Sequence, residues 1–153
     1  MKKLRIYVDA SVVGGCEDME FSADSLALWS RFERGDHIAV FSAHTLRELE
    51  GAPEPVRDQL LRIPPLHVVI LGDSEEASEL AGAYLAHGVV GPGSRSDALH
   101  VALATMSHAD VLVSWNFKHL VNLGRIRQFN AVNLEMGYSI LEIRTPKEVL
   151  SYE

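Results

Sequence analysis

Short apolar runs rich in Val and Ile constrain the fold of this chain more than any other feature. Five such runs, at residues 4–8, 38–41, 67–71, 111–115 and 139–143, alternate with segments of helical character. None shows regular polar alternation, and this is typical of parallel strands that are covered on both faces. The chain is therefore expected to form a three-layer α/β sandwich with a mainly parallel central sheet.

The segments between these runs carry apolar residues at helical spacing. One stripe consists of Ala77, Leu80, Ala81, Tyr84 and Leu85. Residues 56–63 form a second predicted helix, which Pro64 and Pro65 stop. Residues 98–105 form a third, with Ser96 as the expected N-cap.

Length and composition indicate one globular domain spanning residues 1–153, with 47% apolar residues. No apolar run approaches the roughly 20 residues that cross a bilayer. Asp9 interrupts the first apolar stretch, which is too short for a secretory signal. Cys16 is the only cysteine, which excludes an internal disulfide. These features favour a cytoplasmic protein.

Polar side chains fall where strands end or helices begin. Asp9 follows the first run and Asn116 follows the fourth, while Glu48 and Asp97 lie in the helical segments after other runs. In parallel α/β sheets the ligand crevice lies outside the carboxyl ends of the strands. These four side chains are therefore expected at one edge of the sheet.

Each of these residues also has an ordinary structural interpretation. Asp9 could cap a turn or helix, Asp97 could complement a helix dipole, and Glu48 could be a solvated helix residue. Asn116 could shape a turn. Together, however, clustered carboxylates repel one another unless a divalent cation neutralises them. Oxygen ligands of this kind suit Mg²⁺ or Mn²⁺.

The net charge of −7 excludes a protein that coats nucleic acid through general basicity. A nuclease remains compatible with it, because carboxylates that hold metal ions count as negative until the metal binds. Any RNA must then be bound by a local basic patch. The candidates lie close in sequence to the four polar residues: Arg47, Arg95, Lys118, His119, Arg125 and Arg127.

Four stretches resemble the ordered motifs of PIN domains, the nucleases that include VapC-type toxins of bacterial toxin–antitoxin pairs. They are residues 7–11 (YVDAS), 45–49 (TLREL), 96–104 (SDALHVALA) and 113–119 (VSWNFKH). The resemblance implies a PIN-like fold and metal-dependent cleavage of RNA. It also implies that Asp9, Glu48 and Asp97 are the metal-site acids, supported by Ser11 and Ser114, and that the protein pairs as a homodimer and binds an antitoxin.

The chain departs from the family pattern at one position, where Asn116 replaces the usual Asp. An amide oxygen can still coordinate a hard cation, but it brings no charge, so a second ion should bind more weakly. Asp110 precedes the fourth run, and we expect it at the opposite end of the sheet in a structural role.

Other arrangements of polar residues are weaker. His44 and Glu48 share a helix face at i, i+4, but the His-Glu-x-x-His pattern of zinc hydrolases is missing. His100, about one turn after Asp97, is expected to be a packed or capping histidine. The favoured function is a Mg²⁺- or Mn²⁺-dependent endoribonuclease. The alternatives are a catalytically weakened PIN-like module that binds RNA or protein, and a small phosphohydrolase.

Overall fold

The computed structural model describes residues 2–152. Its strands are β1 (Arg5–Val8), β2 (Ile38–Ser42), β3 (Val68–Leu71), β4 (Val111–Val113) and β5 (Glu142–Arg144). Its helices are α1 (Ala10–Gly15), α2 (Ser22–Arg34), α3 (Ala43–Leu49), α4 (Glu54–Asp58), α5 (Glu75–Ala86), α6 (Arg95–Met106), α7 (Leu123–Glu135) and α8 (Pro146–Tyr152). Short 3₁₀ turns cover Gln59–Arg62, Pro65–His67 and Pro92–Ser94.

The strands form one parallel sheet in the order β3-β2-β1-β4-β5. The chain builds outward from β1 in one direction through β2 and β3, and then in the other through β4 and β5. The order therefore reverses between β1 and β4. In open parallel sheets this reversal point leaves a crevice at the carboxyl ends of the strands, where ligands bind.

Helices cover both faces of the sheet, as the unalternating apolar runs predicted. Along β1, Tyr7 packs into one core and its neighbours Ile6 and Val8 pack into the other. Strand β4 repeats the pattern with Leu112 between Val111 and Val113. Because side chains of a strand alternate between its faces, an apolar run without polar positions needs a core on each side. The expected three-layer sandwich is confirmed.

The predicted elements differ from the observed ones mainly at their ends. The fourth strand stops at Val113, two residues earlier than expected, and is followed by Ser114 and Asn116. The fifth strand begins later than expected, at Glu142. The predicted helix at 56–63 is α4 followed by the 3₁₀ turn Gln59–Arg62.

The expected N-cap of α6 was wrong. The helix begins at Arg95, so Ser96 lies within its first turn. The preceding residue, Ser94, makes no side-chain capping bond. Ser96 instead donates its hydroxyl proton to Glu48 Oε2 at 2.9 Å. A serine near a helix start carries the same sequence signal whether it caps the helix or points across it.

Asp110 lies at the amino end of β4, as expected. Its Oδ2 accepts a hydrogen bond from the Arg5 backbone N–H at 2.8 Å, and Lys2 Nζ lies 3.5 Å from Oδ1. The carboxylate therefore ties the start of β1 to the start of β4. Within the described part of the chain, no helix is long and apolar enough to cross a membrane.

Helix α1 packs closely against the segment after β4, and two adjacent glycines test this packing. A Cβ added at Gly15 would lie 2.6 Å from Ser25 Oγ and 2.8 Å from Trp115 Nε1, whereas one added at Gly14 would meet nothing within 4 Å. The Trp115 indole also donates to Ser25 Oγ at 2.9 Å. Gly15 therefore leaves room for a hydrogen bond that joins α2 to the loop after β4.

We expect Gly15→Ala to lower the free energy of unfolding by roughly 1–3 kcal/mol, because the methyl group overpacks this contact. Gly14→Ala is the matched control, one residue away in the same helix. It should be neutral or stabilising by up to about 1 kcal/mol, because alanine favours the helix. Urea unfolding of both variants measures the difference, and equal stabilities would contradict the close approach.

Candidate functional site

The first predicted acid, Asp9, lies at the reversal point of the sheet. It comes directly after β1 and is the N-cap of α1, with its Oδ1 accepting from the Val12 backbone N–H at 3.3 Å. Ser11 Oγ donates to Oδ1 and Ser114 Oγ to Oδ2, each at 2.6 Å. The two serines come from either side of the β1–β4 junction, and they hold a carboxylate that is only 5% exposed.

The structural interpretation of Asp9 as a cap therefore holds, but it does not account for the burial. Burial raises the pKa of Asp9, and the nearby His100 and the hydrogen bonds from the serines and Val12 oppose this rise. A helix cap needs only one carboxylate oxygen and is usually exposed to solvent. Here both oxygens are fixed in a site where the anion is disfavoured.

Asn116 and Asp97 form the next part of the site. Ser114 Oγ accepts from the Asn116 backbone N–H at 2.9 Å, so the serine that holds Asp9 also positions Asn116. The Asn116 amide also lowers the pKa of Asp97, against the effect of burial. Its Oδ1 accepts from the His119 backbone N–H at 2.9 Å and shapes the turn after the strand. The amide therefore has a turn-forming role and a contact with an acid.

Asp97 lies in the first turn of α6, as expected. Burial raises its pKa, and the negative charge of Glu48 adds to the rise, while His119, His100 and the Asn116 hydrogen bond oppose it. Asp97 and Asp9 are thus both carboxyls whose ionised forms are disfavoured. Both carboxyls must be ionised to bind a metal. A cation placed near them would offset the free-energy cost of burying their negative charges.

Glu48 lies near the end of α3 and has a different environment. His100 Nε2 is 2.5 Å from its Oε1, and Ser96 Oγ donates to its Oε2. Burial alone would raise the pKa of Glu48, but the hydrogen bonds from His100 and Ser96 and the charges of His100 and His44 outweigh it and lower the pKa. Glu48 is therefore an anion that already has partners.

His100 is buried, as predicted for a packed histidine, and it connects Glu48 to the core. Its Nδ1 lies 2.8 Å from the Tyr7 hydroxyl, which in turn lies 2.8 Å from Ser42 Oγ. Burial raises the pKa of Tyr7, so this hydroxyl keeps its proton. On the other side, the His44 ring lies 4.6 Å from that of His100 between ring centroids. Burial and the charge of His100 lower the pKa of His44.

The acids approach one another without meeting at a single point. Among residues 2–152, the only three His, Cys, Asp or Glu side chains with ligand atoms all within 4.8 Å of one another are His44, Glu48 and His100. The carboxylates of Asp9, Asp97 and Glu48 are therefore more widely spaced as a set.

The predicted basic residues divide into two groups. Arg47 pairs with Asp73 at 2.7 Å, Arg95 Nη2 donates to Ser78 Oγ at 3.0 Å, and Arg125 donates to the carbonyl of Val89. Lys118 and Arg127 are exposed and form no ion pair within the described residues. His119 belongs to neither group: it comes after Asn116 in the turn, and its charge lowers the pKa of Asp97.

An aromatic group beside Asp9 was not identified from the sequence. Phe21 and Trp115 stack with ring centroids 4.4 Å apart, and Phe117 lies 6.2 Å from Trp115 and is 52% exposed. The Trp115 backbone N–H donates to Ser11 Oγ at 2.9 Å, so this group adjoins the Asp9 site. The available signal was that two aromatic residues flank Asn116 in the sequence.

A concavity of about 840 Å³ lies away from these acids, lined by Lys2, Asp110, Glu142, Arg144 and others. These four charges are already paired: Lys2 lies 3.5 Å from Asp110, and Arg144 lies 2.6 Å from Glu142. The reversal point of the sheet, with its two destabilised carboxyls, is therefore the better candidate for catalysis.

The sequence matches no known protein-family profile and no curated protein. Solved structures similar to this one include VapC20 from Mycobacterium tuberculosis, a toxin described as cleaving the sarcin–ricin loop. That match has a TM-score of 0.56 and 16% identity, and covers 90% of this chain and 98% of VapC20.

A second similar structure is VapBC2 from Rickettsia felis, solved with a DNA fragment from its promoter. Its TM-score is 0.55 at 13% identity, over 92% of this chain and 98% of the other. Identities this low show the fold alone. The two structural matches confirm the fold resemblance inferred from the four motifs: the chain has a PIN-domain fold of the VapC type.

Proposed function

We propose that this chain is a metal-dependent endoribonuclease and the toxin of a toxin–antitoxin pair, acting in the cytoplasm. The observation that carries the proposal is the pair of destabilised carboxyls, Asp9 and Asp97, at the reversal point of a PIN-type sheet. Both pKa values are raised by burial, and serine, histidine and asparagine side chains lower them in part. Perturbed carboxyls in such a crevice are typical of catalytic sites.

The donor atoms fit Mg²⁺ or Mn²⁺ because they are carboxylate and amide oxygens. Asp9, Asp97 and Glu48 would hold the ion, with the Asn116 amide oxygen beside them. When bound, such an ion supplies Lewis acidity that activates water and stabilises negative charge on a phosphodiester.

The chain's own residues orient these acids. Ser11 and Ser114 hold Asp9 through both oxygens, which fixes the plane of its carboxylate. Asn116 contacts Asp97 and keeps the loop after β4 in place. His100 and Ser96 limit the positions open to the Glu48 side chain. This arrangement lets each acid keep its geometry while the substrate enters.

RNA would contact the basic side chains around the site through its phosphates, which gives affinity without sequence preference. Lys118 and Arg127 are exposed for this role. Two further candidates, Arg47 and His119, lie within the sequence motifs, and Arg95 and Arg125 lie close to them. Arg47 is paired with Asp73 at the surface, and it can exchange this partner for a phosphate. Bases of a single-stranded segment could stack on Phe117.

An antitoxin and a second copy of the chain are the proposed protein partners. Exposed apolar side chains support both. Leu61, Leu66 and Ile70 are 83%, 82% and 53% exposed, in and before the edge strand β3. Leu134 and Ile140, near the end of α7, are 62% and 60% exposed. Apolar side chains concentrated in this way are typical of contact surfaces.

The proposed active site predicts that Asp97→Asn lowers Mn²⁺-dependent cleavage of an RNA pool by at least about 100-fold, because a metal-site acid is lost. Asp9→Asn should behave in the same way. The comparison is made with purified proteins, with and without a chelator. Asp58→Asn, an exposed acid in α4, is the control and should cleave like the wild type.

The loss should not come from unfolding. A carboxyl with a raised pKa contributes stability below its ordinary pKa of 3.8, and this contribution is lost as pH rises through the raised value. At neutral pH without metal, Asp97→Asn should therefore melt at or above the wild-type temperature. Unchanged cleavage in both the Asp9 and Asp97 variants would defeat the proposed site.

Asn116→Asp tests whether the missing charge weakens the site. It should tighten Mn²⁺ binding by roughly 10- to 100-fold and raise cleavage at limiting metal, because one more charge faces the ion. Without metal it should lower the melting temperature, because a new carboxylate faces Asp97. Calorimetric titration and thermal unfolding measure the two effects.

Asn122→Asp is the matched control, since Asn122 Oδ1 also accepts a backbone N–H, that of Arg125 at 3.1 Å, at the start of α7. It adds the same charge at a similar cap away from the acids and should leave metal affinity unchanged. If Asn116→Asp also leaves it unchanged, Asn116 acts only in the turn. If cleavage then appears in neither protein, the chain is the weakened binding module.

Self-association is expected at micromolar concentration, with a two-fold interface that covers part of the exposed apolar surface. Light scattering coupled to size exclusion should show a mass near twice 16.9 kDa. Leu66→Lys, at a side chain that is 82% exposed, is a direct probe, because a charge there should shift the protein towards the monomer only if β3 faces the partner. A wild type that stays at 16.9 kDa would exclude the homodimer.

A further inference from the structure

We propose that His44, Glu48 and His100 form a second metal site, for a divalent transition-metal ion of the Zn²⁺ type, which shares Glu48 with the proposed ribonuclease site. The proposal goes beyond the ribonuclease function and does not depend on it. Its basis is the convergence of two imidazole nitrogens and one carboxylate oxygen within 4.8 Å of one another.

The backbone brings these three side chains together in a simple way. His44 and Glu48 are one helical turn apart on α3, so they project from the same face. His100 approaches from α6, with its Nε2 at 2.5 Å from Glu48 Oε1, and His44 Nε2 lies 3.9 Å from the same oxygen. Both histidines thus present Nε2 to one carboxylate oxygen.

The contact between His100 and Glu48 requires either a hydrogen or a metal ion between the two atoms. An imidazole nitrogen and a carboxylate oxygen at 2.5 Å both offer lone pairs, so a proton must lie between them in the metal-free protein. A divalent ion would satisfy the same pair of lone pairs and add His44 as a third ligand. Binding also requires His44 to carry its proton on Nδ1.

Partners outside the three ligands already support His100. The Tyr7 hydroxyl, 2.8 Å from Nδ1, fixes the ring and directs Nε2 towards Glu48. Tyr7 is itself anchored at 2.8 Å by Ser42. Metal-binding histidines almost always hold their second nitrogen in this way.

The site has room to accept an ion. Zn²⁺ binds nitrogen and oxygen at about 2.0–2.2 Å, so in tetrahedral geometry the two atoms stand roughly 3.3 Å apart. The Glu48 side chain is 34% exposed and lies near a helix end, which allows the small outward shift required. Ser96 Oγ lies 2.8 Å from His44 Nε2 and donates to Glu48 Oε2, so His44 would exchange its contact with Ser96 for the ion.

The donor set selects the metal. Two imidazoles with one carboxylate suit Zn²⁺ and its neighbours in the first transition row, whereas Mg²⁺ and Ca²⁺ take oxygen ligands almost alone. The two ends of the crevice therefore differ in chemistry: oxygen donors around Asp9 and Asp97, and nitrogen donors around Glu48.

The test is calorimetric titration of the metal-free chain with ZnCl₂ in the absence of Mg²⁺, because Mg²⁺ bound at the proposed ribonuclease site would compete for the shared Glu48. Wild type should bind one Zn²⁺ per chain, and His44→Ala should bind on the order of 100-fold more weakly because one ligand is lost. His87→Ala is the matched control, because His87 pairs with Glu135 at 3.2 Å on another surface without a third ligand. It should bind as the wild type does.

Two further measurements separate this site from the ribonuclease site. Asp97→Asn should keep its Zn²⁺ affinity, whereas it loses RNA cleavage if the proposed function holds. Co²⁺ added in place of Zn²⁺ should give the visible absorption of a nitrogen- and oxygen-ligated ion in wild type and lose it in His44→Ala. Equal Zn²⁺ affinities in wild type and in folded His44→Ala, or no Zn²⁺ binding by the wild type, would overturn the proposal.

Discussion

The buried carboxylate of Asp9 is the interaction on which the rest of the site depends. It ends β1, caps α1 and accepts hydrogen bonds from Ser11 and Ser114, so three elements are held by one side chain. A buried carboxylate without partners is costly, and each of these hydrogen bonds offsets part of that cost. The serines in turn position two residues of the next loop, because Ser11 accepts from Trp115 and Ser114 accepts from Asn116. The loop after β4 is therefore shaped by the two serines that donate hydrogen bonds to the buried Asp9 carboxylate.

The fold was predictable from the sequence because the strand signal is physically simple. A run such as residues 4–8 has no polar position to expose, so it requires a covered sheet, and helices between the runs require parallel connections. The ends of elements were less predictable. The strand β4 ends at Val113, and the next residue, Ser114, donates its hydroxyl to Asp9, a residue far away in the chain that the local sequence does not reveal.

The placement of the site residues was predictable for the same reason, and their environments were not. Strand ends place Asp9 and Asn116 at the same edge, whatever their partners are. The sequence could not show that His100 lies against Glu48 or that Ser96 points to that acid, because these contacts join α3 to α6. Nor could it show that Phe21 reaches Trp115, since this depends on how α2 packs. Contacts between elements that are distant in sequence require the assembled core.

The environments divide the acids into two kinds. Burial raises the pKa values of Asp9 and Asp97, so their negative charges lack sufficient compensation. Glu48 has a lowered pKa because His100 and Ser96 compensate it, although burial acts in the other direction. A cation entering the crevice thus gains most near the two aspartates, and it must compete with His100 for Glu48. Two carboxylates suffice for an ion that keeps most of its water, as Mg²⁺ does. In the proposed ribonuclease, an uncharged Asn116 is therefore compatible with one bound ion, and the shortage of charge would fall on a second.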